Sequence, residues 1–129
     1  MTERRDPIAI VNDFCAAWTA LDIEGALALL ADDAVYHNIP VAPVVGKDAI
    51  RATIAMFTTG VEQVEFVVRN IAAHGDVVLT ERLDIFTFAN GRIELPVMGT
   101  FEIADGRIIE WRDYFDLQQY MSQIPGANG

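Results

Sequence analysis

The sequence contains little cysteine and little positive charge, and both shortages exclude classes of protein. Cys15 is the single cysteine among 129 residues, so neither an intramolecular disulfide nor a cysteine-rich metal site can form. Lysine and arginine total 9 residues against 19 for aspartate and glutamate, which gives a formal net charge of -10. Because nucleic acids and anionic membranes are bound through clusters of basic side chains, we expect neither as a partner.

Long hydrophobic segments are also missing. No stretch reaches the roughly 18 consecutive apolar residues of a transmembrane helix, and the N-terminal sequence lacks the apolar core of an export signal. A single cysteine suits a reducing compartment, so we expect a soluble, cytoplasmic protein. The two histidines, His37 and His74, lie apart from any cluster of acidic residues. The sequence therefore predicts no metal site, and nothing in it calls for another cofactor.

The length fits one domain that covers residues 1–129. A chain of this size buries roughly two thirds of its unfolded surface, which is enough for one hydrophobic core. No internal repeat, linker or low-complexity segment divides it. A second domain is therefore not expected.

The first half of the sequence carries signals for helices. Asp6 followed by Pro7 marks the start of a first helix, whose apolar residues then recur at helical spacing. Asp22 can cap a second, short helix, which we expect to end at Asp32 and Asp33. We expect a short strand and then a third helix to follow, over residues 35–39 and 47–57.

From Val61 onward the pattern is that of β-strands. Four apolar segments are separated by dipeptides that are typical of turns, and two of these are favoured in hairpins. The dipeptides are Gly75-Asp76, Asn90-Gly91 and Asp105-Gly106. Helices followed by hairpin-linked strands predict an α+β fold, with helices packed on one face of a curved, mostly antiparallel sheet. We expect Met56 and Met98 to fill its core.

Three motifs, far apart in the sequence, carry polar side chains that such a sheet can bring together. Tyr36 and Asn38 lie two residues apart in VYHNIP, and Arg82 and Asp84 lie two apart in TERLDIF. Since side chains alternate between the two faces of a strand, each pair points to one face. In EWRDYFD, Asp113 shares its face with the aromatic residues two positions before and after it. That carboxylate is not placed for solvation.

Burial of Arg82 between Asp84 and Asp113 would create an acid and a base at one place. Two ionised carboxylates and one guanidinium leave a negative charge, so one apparent pKa of the set should rise while the arginine keeps the other carboxylate ionised. Such a pair can open a strained three-membered ether, whose oxygen gains a proton while the attacking water loses one. The geometry favours Asp113 as the base, with the water held by Tyr36 and Asn38. Asp84 is then the acid.

At these residues the chain resembles the limonene-1,2-epoxide hydrolases, a branch of the cone-shaped nuclear-transport-factor-2-like (cystatin-like) and SnoaL-like fold. The resemblance runs from the first helix to Leu117 and is densest in YHN, TERLD and WRDYFD. It implies a cone-shaped sheet with the N-terminal helices on its concave face. It also implies a homodimer that hydrolyses an apolar, terpene-like or cyclic epoxide to a vicinal diol in one step, without a cofactor.

The resemblance assigns roles to individual residues. It implies that Asp84 is the general acid and Asp113 the general base, with Arg82 between them. It implies that Tyr36 and Asn38 hold the nucleophilic water. The apolar wall of the substrate pocket would be formed by Phe57, Phe86, Leu95, Val97 and Phe115.

Two other functions remain open for the same fold. A ketosteroid-type isomerase uses a neutral carboxylic acid as a hydrogen-bond donor, and the guanidinium of Arg82 would oppose keeping such an acid un-ionised. A non-catalytic pocket for small apolar ligands gains little from buried ionisable groups, which cost stability. We expect Trp111 and Phe115 to lie in the core or the pocket wall. The C-terminal residues 118–129 either cover the mouth of the pocket or fray.

Overall fold

The computed structural model describes residues 5–126, which form a six-stranded sheet and four helices. The strands lie in the order β2-β1-β6-β5-β4-β3, and every neighbouring pair is antiparallel except β1 and β6. The helices are α1 (Pro7–Thr19), α2 (Ile23–Ala28), α3 (Lys47–Phe57) and α4 (Leu117–Met121). The strands are β1 (Leu30–Asn38), β2 (Val44–Val45), β3 (Val61–His74), β4 (Val77–Phe88), β5 (Gly91–Ala104) and β6 (Arg107–Tyr114). The α+β prediction is confirmed.

Helix α1 covers the concave face of the sheet. Its start follows the predicted signal, because the Asp6 side chain accepts a hydrogen bond of 3.0 Å from the Ile8 amide and Pro7 occupies the first turn. The residues that α1 buries against the sheet are Ile10, Val11, Phe14, Cys15 and Trp18. Because three of these five side chains are aromatic or sulfur-containing, α1 supplies a large share of the core. No helix among residues 5–126 is long and apolar enough to cross a lipid bilayer.

The predicted end of the second helix is wrong. Asp22 caps α2 as expected, accepting from the Gly25 amide at 2.9 Å, but the helix stops at Ala28. Strand β1 begins at Leu30 and includes Asp32 and Asp33. The reason is tertiary: Leu30 is fully buried and pairs with β6, so this part of the chain joins the sheet at an irregular register. The third helix has the predicted bounds.

Strands β3 to β6 form the predicted antiparallel meander. The β5–β6 turn consists of Asp105 and Gly106, both with positive φ (52° and 76°), as the mirror-image turn of a tight hairpin requires. In the β4–β5 hairpin, Phe88 pairs with Gly91. The turn residues there are Ala89 and Asn90, one position before the predicted dipeptide.

The prediction that Met56 and Met98 lie in the core is also wrong. Met56 is 78% exposed because α3 turns Ile50 and Ile54 inward instead. Met98 is 53% exposed because it lies on the outer face of β5, whereas its neighbours Val97 and Gly99 belong to the inner face. Met98 is therefore on the outside because side chains alternate along β5, although methionine is hydrophobic.

The sheet gathers the polar motifs on its inner face. Strand β4 turns Arg82 and Asp84 inward, and β6 turns Asp113 inward. The parallel pairing of β1 with β6 sets Tyr36 opposite Trp111 and Asn38 opposite Asp113. Motifs that lie more than 70 residues apart in the chain thus become neighbours.

Candidate active site

One cavity of about 210 Å³ opens on the inner face of the sheet. It lies between the end of α1, strand β1, the end of α3, the inner sheet face and α4. Its polar side chains are Tyr36, Asn38, Asp84, Asp113 and Tyr120, and the rest of the lining is hydrophobic or aromatic. The remaining lining residues are Trp18, Val41, Phe57, Phe66, Phe86, Leu95, Val97, Trp111, Phe115 and Leu117.

A buried arginine joins two carboxylates beside this cavity. Arg82 donates from Nε to Asp84 Oδ1 and from Nη2 to Asp84 Oδ2, each at 2.9 Å. The same Nη2 donates to Asp113 Oδ2 at 3.0 Å. Arg82 is 1% exposed, Asp84 4% and Asp113 5%. A planar guanidinium makes this arrangement possible because it presents several donors in fixed directions.

The rest of the guanidinium is also held. Arg82 Nη1 donates to Thr80 Oγ1 at 3.2 Å, and Thr80 Oγ1 donates to the Gly99 carbonyl at 3.3 Å. The centre of the Phe66 ring lies 4.9 Å from Arg82 Cζ, and that of Phe101 lies 5.9 Å away. These contacts fix the orientation of the buried cation by hydrogen bonds and cation–π attraction.

Asp113 has a second partner that the sequence analysis missed. Trp111 Nε1 donates to Asp113 Oδ1 at 2.9 Å, so each oxygen of this carboxylate accepts a bond. The Trp111 ring stacks on Tyr36, with centroids 3.8 Å apart and planes 15° apart. The signal was present in the sequence, because two residues separated by one position share a strand face. We had expected Trp111 to serve only as core or pocket wall.

Tyr36 and Asn38 reach the site from β1. Tyr36 is buried, and its pKa is raised, first by burial and then by the negative charge of Asp113, while a hydrogen bond with Asn38 lowers it in part. The phenol therefore stays protonated and can donate a hydrogen bond. Asn38 is half-buried and lies opposite Asp113 in the β1–β6 register. A carboxamide, a phenol and a carboxylate thus meet at one end of the cavity.

The charges of the site act on each other. Burial raises the pKa of Asp84, the positive charge and hydrogen bonds of Arg82 lower it, and the charge of Asp113 raises it further, with a net upward shift. Burial opposes the charged form of Arg82, but the charges of Asp113 and Asp84 raise its pKa above the ordinary value. Arg82 therefore stays a cation, and Asp84 is the carboxyl disposed to hold a proton.

Cys15 lies within electrostatic range of these groups but is not reactive. Burial raises the pKa of its thiol to about 12, with smaller effects from Arg82, Asp84 and Asp113. A thiol with so high a pKa is not a nucleophile near neutral pH.

His37 takes no part in the polar cluster. Its Nε2 lies 3.0 Å from the Val41 carbonyl oxygen.

The hydrophobic wall includes the residues that the sequence analysis named. The cavity is lined by all five: Phe57, Phe86, Leu95, Val97 and Phe115. It is also lined by Trp18 and Phe66, which stack on one another at 5.0 Å between centroids. Helical spacing places Trp18 on the apolar face of α1, but only the packing shows that this face ends at the cavity. Among the described residues, no group of three or more His, Cys, Asp or Glu side chains could hold a metal ion.

The polar cluster and its hydrophobic surroundings match a known family. The family model for the limonene-1,2-epoxide hydrolase catalytic domain matches residues 5–126. The chain belongs to the limonene-1,2-epoxide hydrolase family. It is 37% identical over 107 residues to the epoxide hydrolase EphG of Mycobacterium tuberculosis, and the match covers 83% of this chain and 71% of that protein.

Solved structures agree with this family membership. An M. tuberculosis epoxide hydrolase described as similar to the limonene-1,2-epoxide hydrolases has a TM-score of 0.78 and 35% identity, covering 90% of this chain and 86% of that one. A protein assigned as a SnoaL-like polyketide cyclase from Shewanella denitrificans has a TM-score of 0.82 but 17% identity, covering 92% and 96%. The second likeness shows the fold alone. The epoxide hydrolase family and the SnoaL-like scaffold are therefore both confirmed.

Proposed function

We propose that this member of the limonene-1,2-epoxide hydrolase family converts an apolar epoxide to a vicinal diol in one step of acid–base catalysis. The observation that carries the proposal is the buried bridge in which Arg82 binds Asp84 and Asp113 at 2.9 and 3.0 Å beside a hydrophobic cavity. Two carboxyls around one guanidinium carry no net charge when they share one proton. The site can then hold an acid and a base together without a buried net charge.

In the proposed reaction, Asp113 is the general base. A water held by Tyr36, Asn38 and Asp113 loses a proton to Asp113 as its oxygen attacks one carbon of the epoxide. Asp113 is suited to this role because Arg82 and Trp111 hold its two oxygens and fix its direction. No bond forms between the substrate and the protein.

Asp84 is the general acid in the same step. Its proton passes to the epoxide oxygen as the carbon–oxygen bond breaks, and that oxygen becomes the second hydroxyl of the diol. The raised pKa of Asp84 supports this role, because an acid must still carry its proton near neutral pH. After the reaction Asp113 holds a proton and Asp84 does not. A proton then returns from Asp113 to Asp84, both of which remain bound to Arg82.

The cavity limits the substrate that we propose. Its volume of about 210 Å³ is below the roughly 300–1,000 Å³ of common ligand pockets, which favours small cyclic or terpene-like epoxides over a steroid epoxide. Its wall of phenylalanine, leucine and valine side chains offers no charge to bind an anionic substrate. The described chain supplies both proton-transfer groups itself, so the proposed reaction calls for no cofactor.

We also propose that the protein is a homodimer and acts in the cytoplasm. The outer face of the sheet exposes Leu79, Met98 and Tyr114, which are 45%, 53% and 45% exposed and lie on three adjacent strands. A hydrophobic patch of this kind is typical of an interface. Light scattering coupled to gel filtration tests the dimer, and Met98→Glu should shift it towards monomer. The lone buried Cys15 suits a reducing compartment.

The proposed reaction is tested by diol formation from a panel of epoxides. Limonene oxide, cyclohexene oxide, styrene oxide, a fatty-acid epoxide and a steroid epoxide span the plausible sizes. We expect diol from the small cyclic members, with water as the source of the new oxygen. A single turnover in heavy-oxygen water with enzyme in excess should therefore label the diol. Unlabelled diol would show a carboxylate nucleophile, and no diol from any member would favour the isomerase or ligand-binding alternatives.

A further inference from the structure

Arg82 and Asp113 bind each other across an intervening strand. Arg82 lies on β4 and Asp113 on β6, and these strands are separated by β5. The guanidinium must therefore pass over the inner face of β5 to reach the second carboxylate. The β5 residue at this crossing is Gly99, which pairs with Thr80 on one side and with Asp113 on the other.

Gly99 has no room for a side chain. A Cβ atom at this position would overlap Arg82 Nη1 and would lie 2.8 Å from both Asp113 Oδ1 and Thr80 Oγ1. Those three atoms belong to the bridge or hold it. The Arg82 guanidinium therefore occupies the space that a β-carbon at position 99 would otherwise fill.

The backbone does not explain this glycine. Gly99 is not among the residues with positive φ, so its conformation is one that any residue can adopt. The positions two residues away on the same inner face carry Val97 and Phe101, both of which are buried. The inner face of β5 is thus bulky on both sides of Gly99 and has a gap only under the guanidinium. The glycine is therefore explained by the space that its missing side chain leaves, and not by its backbone conformation.

We propose that Gly99 is a positioning residue: its missing side chain forms the gap through which Arg82 joins Asp113 to Asp84. This proposal rests on the proposed acid–base function for its effect on catalysis, but its geometric part is independent of that function. The bridge cannot simply move aside. Arg82 is bound by Asp84 at two atoms and by Thr80 through the overlapped Nη1, and Asp113 is held by Trp111. A methyl group at position 99 must therefore displace atoms that are held by these contacts.

The test is Gly99→Ala, with Gly91→Ala as the matched control on the same strand. An added Cβ at Gly91 would meet only the Pro125 side chain, at 3.1 Å, far from the cluster. We expect kcat/KM of Gly99→Ala to fall about 100-fold, mostly in kcat, because misplacement of catalytic groups by about 1 Å has this effect. Gly91→Ala should retain activity close to that of the wild type.

The pH profile separates positioning from a general loss of structure. Arg82 lowers the pKa of Asp84 in part, so displacement of the guanidinium should let Asp84 keep its proton to still higher pH and move the alkaline limb of kcat to higher pH in Gly99→Ala. In Gly91→Ala that limb should not move. Wild-type activity in Gly99→Ala, or reduced activity with an unshifted alkaline limb, would overturn the proposal.

A readout without substrate keeps the proposal testable even if no epoxide is turned over. In nuclear magnetic resonance spectra, the side-chain Nε–H of Arg82 should exchange slowly in the wild type and in Gly91→Ala, and faster in Gly99→Ala. Slow exchange in the wild type and in both variants would contradict the proposed role of Gly99. A wild type that makes no diol but shows this difference would remove the proposed function while leaving the structural role of Gly99 in place.

A double variant covers the case in which Gly99→Ala does not fold. Lysine at position 82 ends before the atom that the added Cβ would overlap. Gly99→Ala should therefore lower the melting temperature much less in an Arg82→Lys background than in the wild type. Equal losses in the two backgrounds, or a double variant that is insoluble while Arg82→Lys folds, would show that the guanidinium is not what Gly99 accommodates.

Discussion

Strands β5 and β6 carry a second arginine between two carboxylates, on the opposite face of the sheet from the first. On the outer face, Arg112 Nη1 binds Glu102 at 2.6 Å and Glu110 at 3.1 Å. On the inner face, Arg82 binds its two aspartates at 2.9 and 3.0 Å. The outer side chains are 23%, 34% and 37% exposed, in the order Arg112, Glu102 and Glu110, whereas no inner side chain exceeds 7%. The two sets share one arginine between two carboxylates but differ strongly in burial.

The difference in burial reverses the effect on the acids. At Glu102, hydrogen bonds from Arg112 and with Glu110 lower the pKa, and the small desolvation does not offset them. At Asp84, burial raises the pKa even though Arg82 is bound at two atoms. A carboxyl group bound by an arginine therefore keeps its proton to higher pH where the sheet and helix α1 exclude water. The fold, more than the pairing, creates the proposed catalytic group.

The largest contrast between the two faces should come from removing the inner carboxylates. Asp113→Asn and Asp84→Asn should each lower kcat by about 100- to 10,000-fold, because each removes a proton-transfer group. Steady-state diol formation measures this, and circular dichroism checks that the fold is retained. Activity within about tenfold of the wild type in either variant would break the assignment of acid and base.

The next effect concerns the shape of the cation. Arg82→Lys should lower kcat by about 100-fold, since an ammonium group cannot bind two carboxylates as a planar fork does. The matched change on the outer face, Arg112→Lys, should leave kcat near the wild-type value. Both are measured with the same epoxide. If the two variants behave alike, burial does not distinguish the two sets in the way we describe.

The pH dependence of stability should have opposite signs on the two faces. Between the ordinary pKa of 3.8 and the raised pKa of Asp84, the folded state holds a proton that the unfolded state has released, so the free energy of unfolding falls as pH rises. For Glu102, with its pKa lowered from 4.5, the stabilisation is present above the ordinary pKa and is lost as pH falls. Melting temperatures measured across pH test both. The fall in stability with rising pH should disappear in Asp84→Asn, and the fall in stability with falling pH should be reduced in Glu102→Gln.

Activity should follow the same shift of Asp84. Because the acid must be protonated, kcat should fall as pH rises through the raised pKa of Asp84, giving the alkaline limb of the profile. Glu102→Gln should leave that limb in place. An alkaline limb that moves in Glu102→Gln would mean that the outer set is coupled to the reaction.

The smallest effect is expected from the outer ion pairs themselves. Glu102→Gln should change the free energy of unfolding by at most about 1 kcal/mol, as is usual for partly exposed pairs. Chemical denaturation measures this. A loss of about 3 kcal/mol or more would contradict the comparison between the two faces, because a loss of that size is typical of a buried ion pair.

Features that depend on adjacent residues were predicted from the sequence more accurately than features that depend on tertiary contacts. Asp6 with Pro7 and the Asp105-Gly106 turn were correctly predicted, because capping and tight turns depend on adjacent residues. The end of the second helix was not, because the burial of Leu30 against β6 draws the chain into the sheet. Met98 was misplaced for a similar reason. Hydrophobicity suggested the core, and the alternation of β5 put the side chain outside.

The sequence by itself determined the α+β class and the pairing of functional residues on common strand faces. It also predicted five polar residues of the candidate site, but not Tyr120, which lines the cavity as well. Periodicity, turn chemistry and motif spacing carry that information locally. Only the tertiary structure decided that one Arg-carboxylate set is buried and the other exposed, that Trp111 binds Asp113, and that Gly99 leaves space for Arg82. These features arise where strands distant in the chain meet, and no local pattern specifies how much water or space remains between them.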